Sequence, residues 1–236
     1  MRLDRFLSNT GLLSRKEAAK AGKDGRITVN GEIVRRVDGH INEHTDVVCL
    51  DGEQIGYHQF DYVWLNKPTG YVSATEDGRL PCVTELLPPP LDKRGLFPCG
   101  RLDRDTVGLV LLTNDGQLSH TLLSPKKHVQ KEYRFTCEPP LPVGAEEKFS
   151  AGMTIDGDER CKPALLVCDE GRAGGVITLT EGKYHQIKRM VEACGSRVIT
   201  LERISFAGIP LDPALARGEI RAATEEEIER LRHATD

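Results

Sequence analysis

Aromatic residues are scarce in this chain, 5% of 236 residues with a single tryptophan. No apolar run approaches the roughly 20 residues that a membrane-spanning helix needs, so a membrane partner is not expected. Seven cysteines, at positions 49, 82, 99, 137, 161, 168 and 194, are odd in number and contain no CxxC pair. That pattern excludes a disulfide framework and a cysteine-based zinc site. The seven histidines are equally dispersed, and without HExxH or a His/Cys cluster at ligand spacing neither a metal nor a cofactor is expected. Internal repeats and low-complexity tracts are absent. The opening MRLDRFLSN mixes charges with apolar residues and lacks the apolar stretch and cleavage site of a signal peptide, so the cytoplasm is the expected compartment.

What remains is the balance of an ordinary globular protein, 39% hydrophobic and 29% charged. The length suits one large domain with a small module. A net charge of −4 conceals strong segregation. Residues 1–36 carry nine Lys/Arg against four Asp/Glu, whereas 37–57 carry five acids and no Lys/Arg. Residues 93–134 carry eight against four, 183–203 five against two, and the tail from Glu219 is acidic. Any one basic run could be a solvated face; three of them, two around glycine-rich motifs, point towards RNA.

Leu3, Phe6 and Leu7 fall at helical spacing with Gly11 as a stop. Ser14 and Glu17 form a capping box for a second helix over RKEAAKAG. Two hairpins follow, RITV and EIV around Asn30-Gly31, then VVCL and EQI around Asp51-Gly52. GYHQFD, residues 56–61, reads as a linker, which places a module at 1–57 and a larger domain at 61–236. In the larger part YVWLN, VGLVLLT, KEYRFTCE and GGVITLTEG read as strands, ELLPPPLDKRG as a loop, and GQLSHTLL and EEKFSAGM as helices. HQIKRMVEACG spaces Ile187, Met190, Val191 and Cys194 along one helical face, with Gly195 as its stop.

The segments RLDRFL, SRKEAAK and DGRITVNGEIV resemble the alpha-L RNA-binding module of a small-subunit ribosomal protein and several RNA-modifying enzymes. The resemblance implies that Arg2, Arg5, Arg15, Lys16, Lys20 and Arg26 face RNA phosphates, contacts that add affinity without choosing a sequence.

Four further stretches stand out: LNKPTGYVSATED, GRLDRDTVGLVLLTNDG, SPKKHVQKEY and EGKYHQIKRM. In this order and spacing, with KPALL at 162–166 and the tail EIRAATEEEIERL, they resemble the RsuA family of pseudouridine synthases almost end to end. Taken alone, Asp103 would be a turn former, Tyr133 a core residue of an alternating strand, Ile187 part of an apolar helical face and Lys188 a solvated lysine. The resemblance instead implies that Asp103 is the nucleophile, Tyr133 the ring stacked on the target base, and Lys188 the cation that keeps Asp103 ionised in a poorly hydrated pocket. It implies Ile187 as an apolar wall behind the uracil and Arg101 as a contact to the displaced strand. Lys67 would support the pocket through the backbone at Pro68 and Gly70, or through a phosphate. The fold implied is α+β, the small module followed by a catalytic domain on a mixed, mainly antiparallel sheet. The substrate implied is a uridine in ribosomal RNA, extruded from its stack. SPKKHV, HQIKRM and the acidic end resemble the 16S rRNA branch more than the 23S branches, and a monomer is the commonest state of such enzymes.

Two other readings compete. Asp103-Arg104-Asp105-Thr106 fits the DxDxT motif of magnesium-dependent haloacid-dehalogenase phosphatases, but PCGRL is not the hydrophobic strand that should precede it, and Lys162 occupies the place of a late metal-binding aspartate. A non-catalytic RNA-binding ribosome-assembly protein would share the basic module and lack the isomerase activity.

Overall fold

The computed structural model describes residues 1–234, which form two compact units, residues 1–61 with 87–96 and residues 62–86 with the described chain from Phe97 onward. In the first, α1 (Leu3–Asn9) buries Leu3, Phe6 and Leu7. Helix α2 (Arg15–Lys23) starts at a complete capping box: the Glu17 N–H donates to Ser14 Oγ, and the Ser14 N–H donates to the Glu17 carboxylate at 2.7 Å. Strands β1 (Ile27–Val29), β2 (Glu32–Ile33), β3 (Val48–Leu50) and β4 (Glu53–Gln54) pair in the order β2-β1-β3-β4. Both hairpins turn through paired left-handed residues, Asn30 and Gly31 (φ 53° and 86°) and Asp51 and Gly52 (φ 53° and 86°). That is the turn geometry Asn-Gly and Asp-Gly favour. Leu3, Phe6, Leu7, Ala18, Ala21, Ile27, Val37 and Val48 close the core. The proline-rich segment 87–96, read from sequence as part of the larger domain, belongs to this unit. There Arg94 donates to the Asp61 carboxylate at 2.5 Å and to the His58 carbonyl at 2.8 Å.

The second unit opens with β5 (Tyr62–Lys67), β6 (Phe97–Pro98), β7 (Val107–Thr113), α3 (Gly116–Leu123) and β8 (Lys131–Glu138). Next come α4 (Ala145–Ala151), β9 (Thr154–Ile155), β10 (Glu159–Arg160), β11 (Leu165–Cys168), β12 (Gly174–Leu179) and α5 (Gln186–Glu192). The chain ends with β13 (Arg197–Phe206), β14 (Ile209–Pro210), β15 (Ile220–Ala222) and α6 (Glu225–His233). Apart from the β9–β10 hairpin, the strands build one sheet in the order β11-β12-β8-β13-β7-β5-β15, with β14 on β13 and β6 on β7. Every pairing is antiparallel except β13 with β7. This is the mixed, mainly antiparallel sheet expected.

Strand β5 is buried throughout and β7 after its first residue, as unbroken apolar runs should be. In β8 Lys131, Tyr133, Phe135 and Cys137 alternate inward against exposed Arg134, Thr136 and Glu138. Trp64, Leu118, Leu122, Phe206 and Leu231 pack α3 and α6 on one face. The parallel pair β7/β13 is unusually close at Gly108: a Cβ there would stand 2.3 Å from the Arg203 carbonyl oxygen, and φ is 104°. Only glycine fits that approach. Because Arg203 of β13 lies opposite Tyr133 of β8 and beside Gly108 of β7, the segment before β7 is brought to the strand that carries Tyr133.

Candidate active site

The segment Gly100–Thr106 enters β7 through a turn in which the Thr106 N–H donates to the Asp103 carbonyl at 3.1 Å. Residues 67–73 cradle it. Ser73 Oγ accepts from the Leu102 N–H at 3.0 Å and donates to the Leu102 carbonyl at 3.1 Å. The Gly70 N–H donates to the Arg104 carbonyl at 2.9 Å. Lys67, fully buried, donates to the carbonyls of Thr106 (2.8 Å), Pro68 (3.1 Å) and Arg104 (3.3 Å). These bonds satisfy backbone groups of the loop at its buried residues Leu102 and Thr106 and tie down the Arg104 carbonyl between them.

So fixed, Asp103 presents its carboxylate to α5. Lys188 Nζ lies 2.9 Å from Asp103 Oδ2 and 2.7 Å from Asp105 Oδ1, and His185 Nε2 lies 3.4 Å from Asp103 Oδ1. The side chains of Asp103 and Lys188 are 28% and 25% exposed, dry enough to strengthen the pair and open enough for a ligand to reach it. Burial pushes the Lys188 ammonium down, yet Asp105 and Asp103 together outweigh it and hold the pKa above the usual lysine range. Burial likewise pushes the Asp105 carboxyl up, and Lys188 overrides it, leaving the pKa low. Lys188 is thus a shared cation, and Asp105, read from sequence as turn chemistry alone, is its second partner.

The cleft around the pair is open to solvent and has a cavity volume of about 90 Å³. Leu102, Tyr133, Leu179, Ile187 and Leu201 line it, all buried, with Thr106 beside Asp103 and Arg101 exposed at the rim. The structure therefore brings Asp103, Arg101, Tyr133, Ile187 and Lys188 together from three distant stretches of chain. Sequence reasoning missed His185 and the walls Leu102, Leu179 and Leu201. A left-handed backbone at His185 (φ 47°, ψ 32°) aims its ring at Asp103, and no spacing rule announces that.

Lys67 requires a correction. It is 0% exposed and does not line the cleft, which fits neither a substrate-binding residue nor a phosphate contact; of the roles expected of it, support of the pocket through the backbone is the one that fits, since it holds the Asp103 loop. Burial lowers its pKa from the usual 10.5 to about 8, against the pull of Asp105 and Asp103. Between those two values the unfolded chain keeps a proton that the folded chain has released, so stability rises with pH across that window. Relative to Lys67→Met, the wild-type unfolding free energy should climb between about pH 8 and pH 10, by at most about 1.4 kcal/mol per pH unit. Urea unfolding at the two pH values checks this; parallel behaviour of the two proteins would mean that the ammonium titrates normally.

Two other basic residues counted towards RNA are interior. Lys131 donates to the Val129 carbonyl at 2.8 Å, and Arg203, 2% exposed, donates to the Leu109 carbonyl at 2.6 Å. In the first unit, Arg2 and Arg15 line a groove together with Lys23, Arg35 and Arg36, three cations not singled out from sequence, and only Asp4 and Asp38 offset these five. Arg5, Lys16, Lys20 and Arg26 are exposed but lie outside this groove, and Arg26 is engaged with Asp51 at 2.7 Å.

Comparison with known proteins follows the same division. The RNA pseudouridylate synthase family matches residues 61–193, and the S4 domain matches residues 1–44. An uncharacterized RNA pseudouridine synthase of Bacillus subtilis (strain 168), YtzG, is 44% identical over 97% of either chain. Ribosomal small subunit pseudouridine synthase A of Escherichia coli (strain K12) is 42% identical over 97% of this chain and 98% of its own. A crystal structure of a pseudouridylate synthase, 37% identical, matches with a TM-score of 0.69 over 98% of this chain and 99% of that one.

Proposed function

Because the chain belongs to the RNA pseudouridylate synthase family, we propose that it isomerises one uridine of small-subunit 16S ribosomal RNA to pseudouridine, in the cytoplasm, with Asp103 as the nucleophile. The observation that carries this reading is the half-buried Asp103–Lys188 pair at 2.9 Å in a cleft walled by Tyr133 and Ile187. In the net reaction the N1–C1′ bond of uridine breaks, a C5–C1′ bond forms, and the hydrogen on C5 is exchanged for one on N1. No electrons leave the substrate. An ionised carboxylate beside a fixed ammonium is suited to attack, and the apolar walls hold the detached base while it turns, since they offer contact without a directional bond. Tyr133 supplies the flat face and Ile187 the opposing wall.

A uridine must leave its stack to bring its glycosidic bond to Asp103. Arg101, exposed at the rim and without an ion pair among the described residues, would meet the backbone left behind. The groove of Arg2, Arg15, Lys23, Arg35 and Arg36 adds phosphate contacts that give affinity and not sequence choice. For the 16S target the support is likeness: relatives named for the ribosomal small subunit match along nearly their whole length. Tritium release from 5-tritiated uridine in separately transcribed 16S and 23S rRNA tests the proposal. Release from 16S rRNA alone is expected; release only from 23S rRNA would overturn the target, and release from neither would overturn the reaction.

A further inference from the structure

Resting on that reading of the substrate as RNA, we propose that Tyr184 is a stacking platform for the nucleobase adjacent to the isomerised uridine. Tyr184 is 76% exposed, Phe60 at 37% being the other exposed aromatic among the described residues. An exposed phenol on a loose loop would need no explanation. This one is held still. The Tyr184 ring lies on the His185 imidazole, centroids 3.8 Å apart and planes 20° from parallel. Its carbonyl accepts from Arg189 Nη1 at 2.9 Å, and Arg189 is itself anchored on Asp156 at 2.6 Å and on Glu159. On either side the turn is tied down, the Lys183 N–H donating to Gln186 Oε1 at 2.9 Å and Gln186 Nε2 to Glu181 Oε1 at 2.7 Å.

Such bonding fixes an aromatic face that the fold does not use for packing. One side of the ring is covered by the imidazole, and exposure of this size leaves the other side open. His185 lines the cleft and touches Asp103, so the open face stands one ring beyond the reaction centre. Of the cations nearby, Lys183, Lys188 and Arg189 are each paired with carboxylates, and exposed Arg101, without an ion pair among the described residues, is the one left to meet a phosphate. When a uridine is extruded, its neighbours lose a stacking partner, and a pre-ordered phenol replaces that partner without further ordering. Stacking tolerates any base, so Tyr184 would strengthen binding at a flanking position without reading its identity.

The test uses the full-length protein and the transcribed rRNA on which wild type releases tritium. Tyr184→Ala is expected to raise KM by about 5- to 150-fold, the range for loss of one base–aromatic stack, with kcat within about threefold and with Tyr184→Phe close to wild type. Tyr184→Trp is expected to show tryptophan quenching when RNA is added, whereas wild type, whose Trp64 is fully buried, is not. In a synthetic RNA fragment of the target, an abasic residue next to the uridine should cost wild type the same factor in KM and Tyr184→Ala nothing more. An unchanged KM for Tyr184→Ala, or an unquenched Tyr184→Trp on RNA that it isomerises, would overturn the platform. So would a fall in kcat alone, which would place the ring's role in supporting His185. Wild type inactive on every rRNA is a different result and defeats the proposed function itself.

Discussion

Asp103→Asn is expected to lower kcat for tritium release by at least about 10,000-fold, the scale seen when a nucleophile is removed from an intact site, while the Kd for RNA stays within about threefold. Asparagine keeps the shape of the side chain and loses the charge. The loop around it should not move, since it is held by bonds from Lys67, Gly70 and Ser73 that do not involve the carboxylate. Lys188 is not left without a partner, because Asp105 lies 2.7 Å away. Near-UV circular dichroism and RNA binding close to wild type would separate lost chemistry from lost structure. A variant that still isomerised uridine at a tenth of the wild-type rate would remove Asp103 from the nucleophile's role.

Lys188→Met is expected to reduce kcat by about 100- to 1,000-fold, comparable to removing one preorganised electrostatic contact. Here the loss has two parts. Asp103 loses its cation, and Asp103 and Asp105 are left as like charges formerly bridged by one ammonium, an arrangement that favours protonation of one of the two. Adding Asp105→Asn to Lys188→Met removes the repulsion and should restore part of the rate. Lys188→Arg keeps the charge and should lie between wild type and methionine. Measuring kcat for the three variants on one rRNA substrate decides the matter; a Lys188→Met enzyme within threefold of wild type would show that the pair seen here is not used.

Local chemistry was legible where it was strong. The capping box at Ser14, the turns at Asn30-Gly31 and Asp51-Gly52, the alternation of Lys131 to Cys137 and the apolar face Ile187, Met190 and Val191 each follow from short-range rules, and each stands in the structure as written in the sequence, whereas Cys194, expected on the same helical face, is buried just beyond the helix end at Glu192. Strand β13, the longest and a central one, was not legible. Its first four residues are largely exposed and its buried half includes Arg203, a residue that sequence reasoning assigns to the surface. Packing that takes an arginine into the interior and pairs it with the Leu109 carbonyl is a tertiary fact.

The site divides in the same way. Asp103, Tyr133 and Lys188 could be named because the sequence resembles a family whose motifs include them, and the fold then brings them to one cleft. The supporting shell had no such signal. Lys67 has the composition of a surface cation and the environment of a core residue, which only the three carbonyls around it explain. Asp105 and His185 act through their distance to Lys188 and Asp103, and the groove of Lys23, Arg35 and Arg36 forms where α2 meets the chain after β2. None of these juxtapositions has a fixed sequence spacing.

The reaction, its catalytic residue and its target meet in one experiment, pseudouridine mapping of rRNA from cells lacking this gene and carrying either the wild-type or the Asp103→Asn copy. Expected is one 16S rRNA site that is uridine in the deletion, pseudouridine with wild type, and uridine again with Asp103→Asn. A site restored equally by both copies, or no site lost in the deletion, would contradict it.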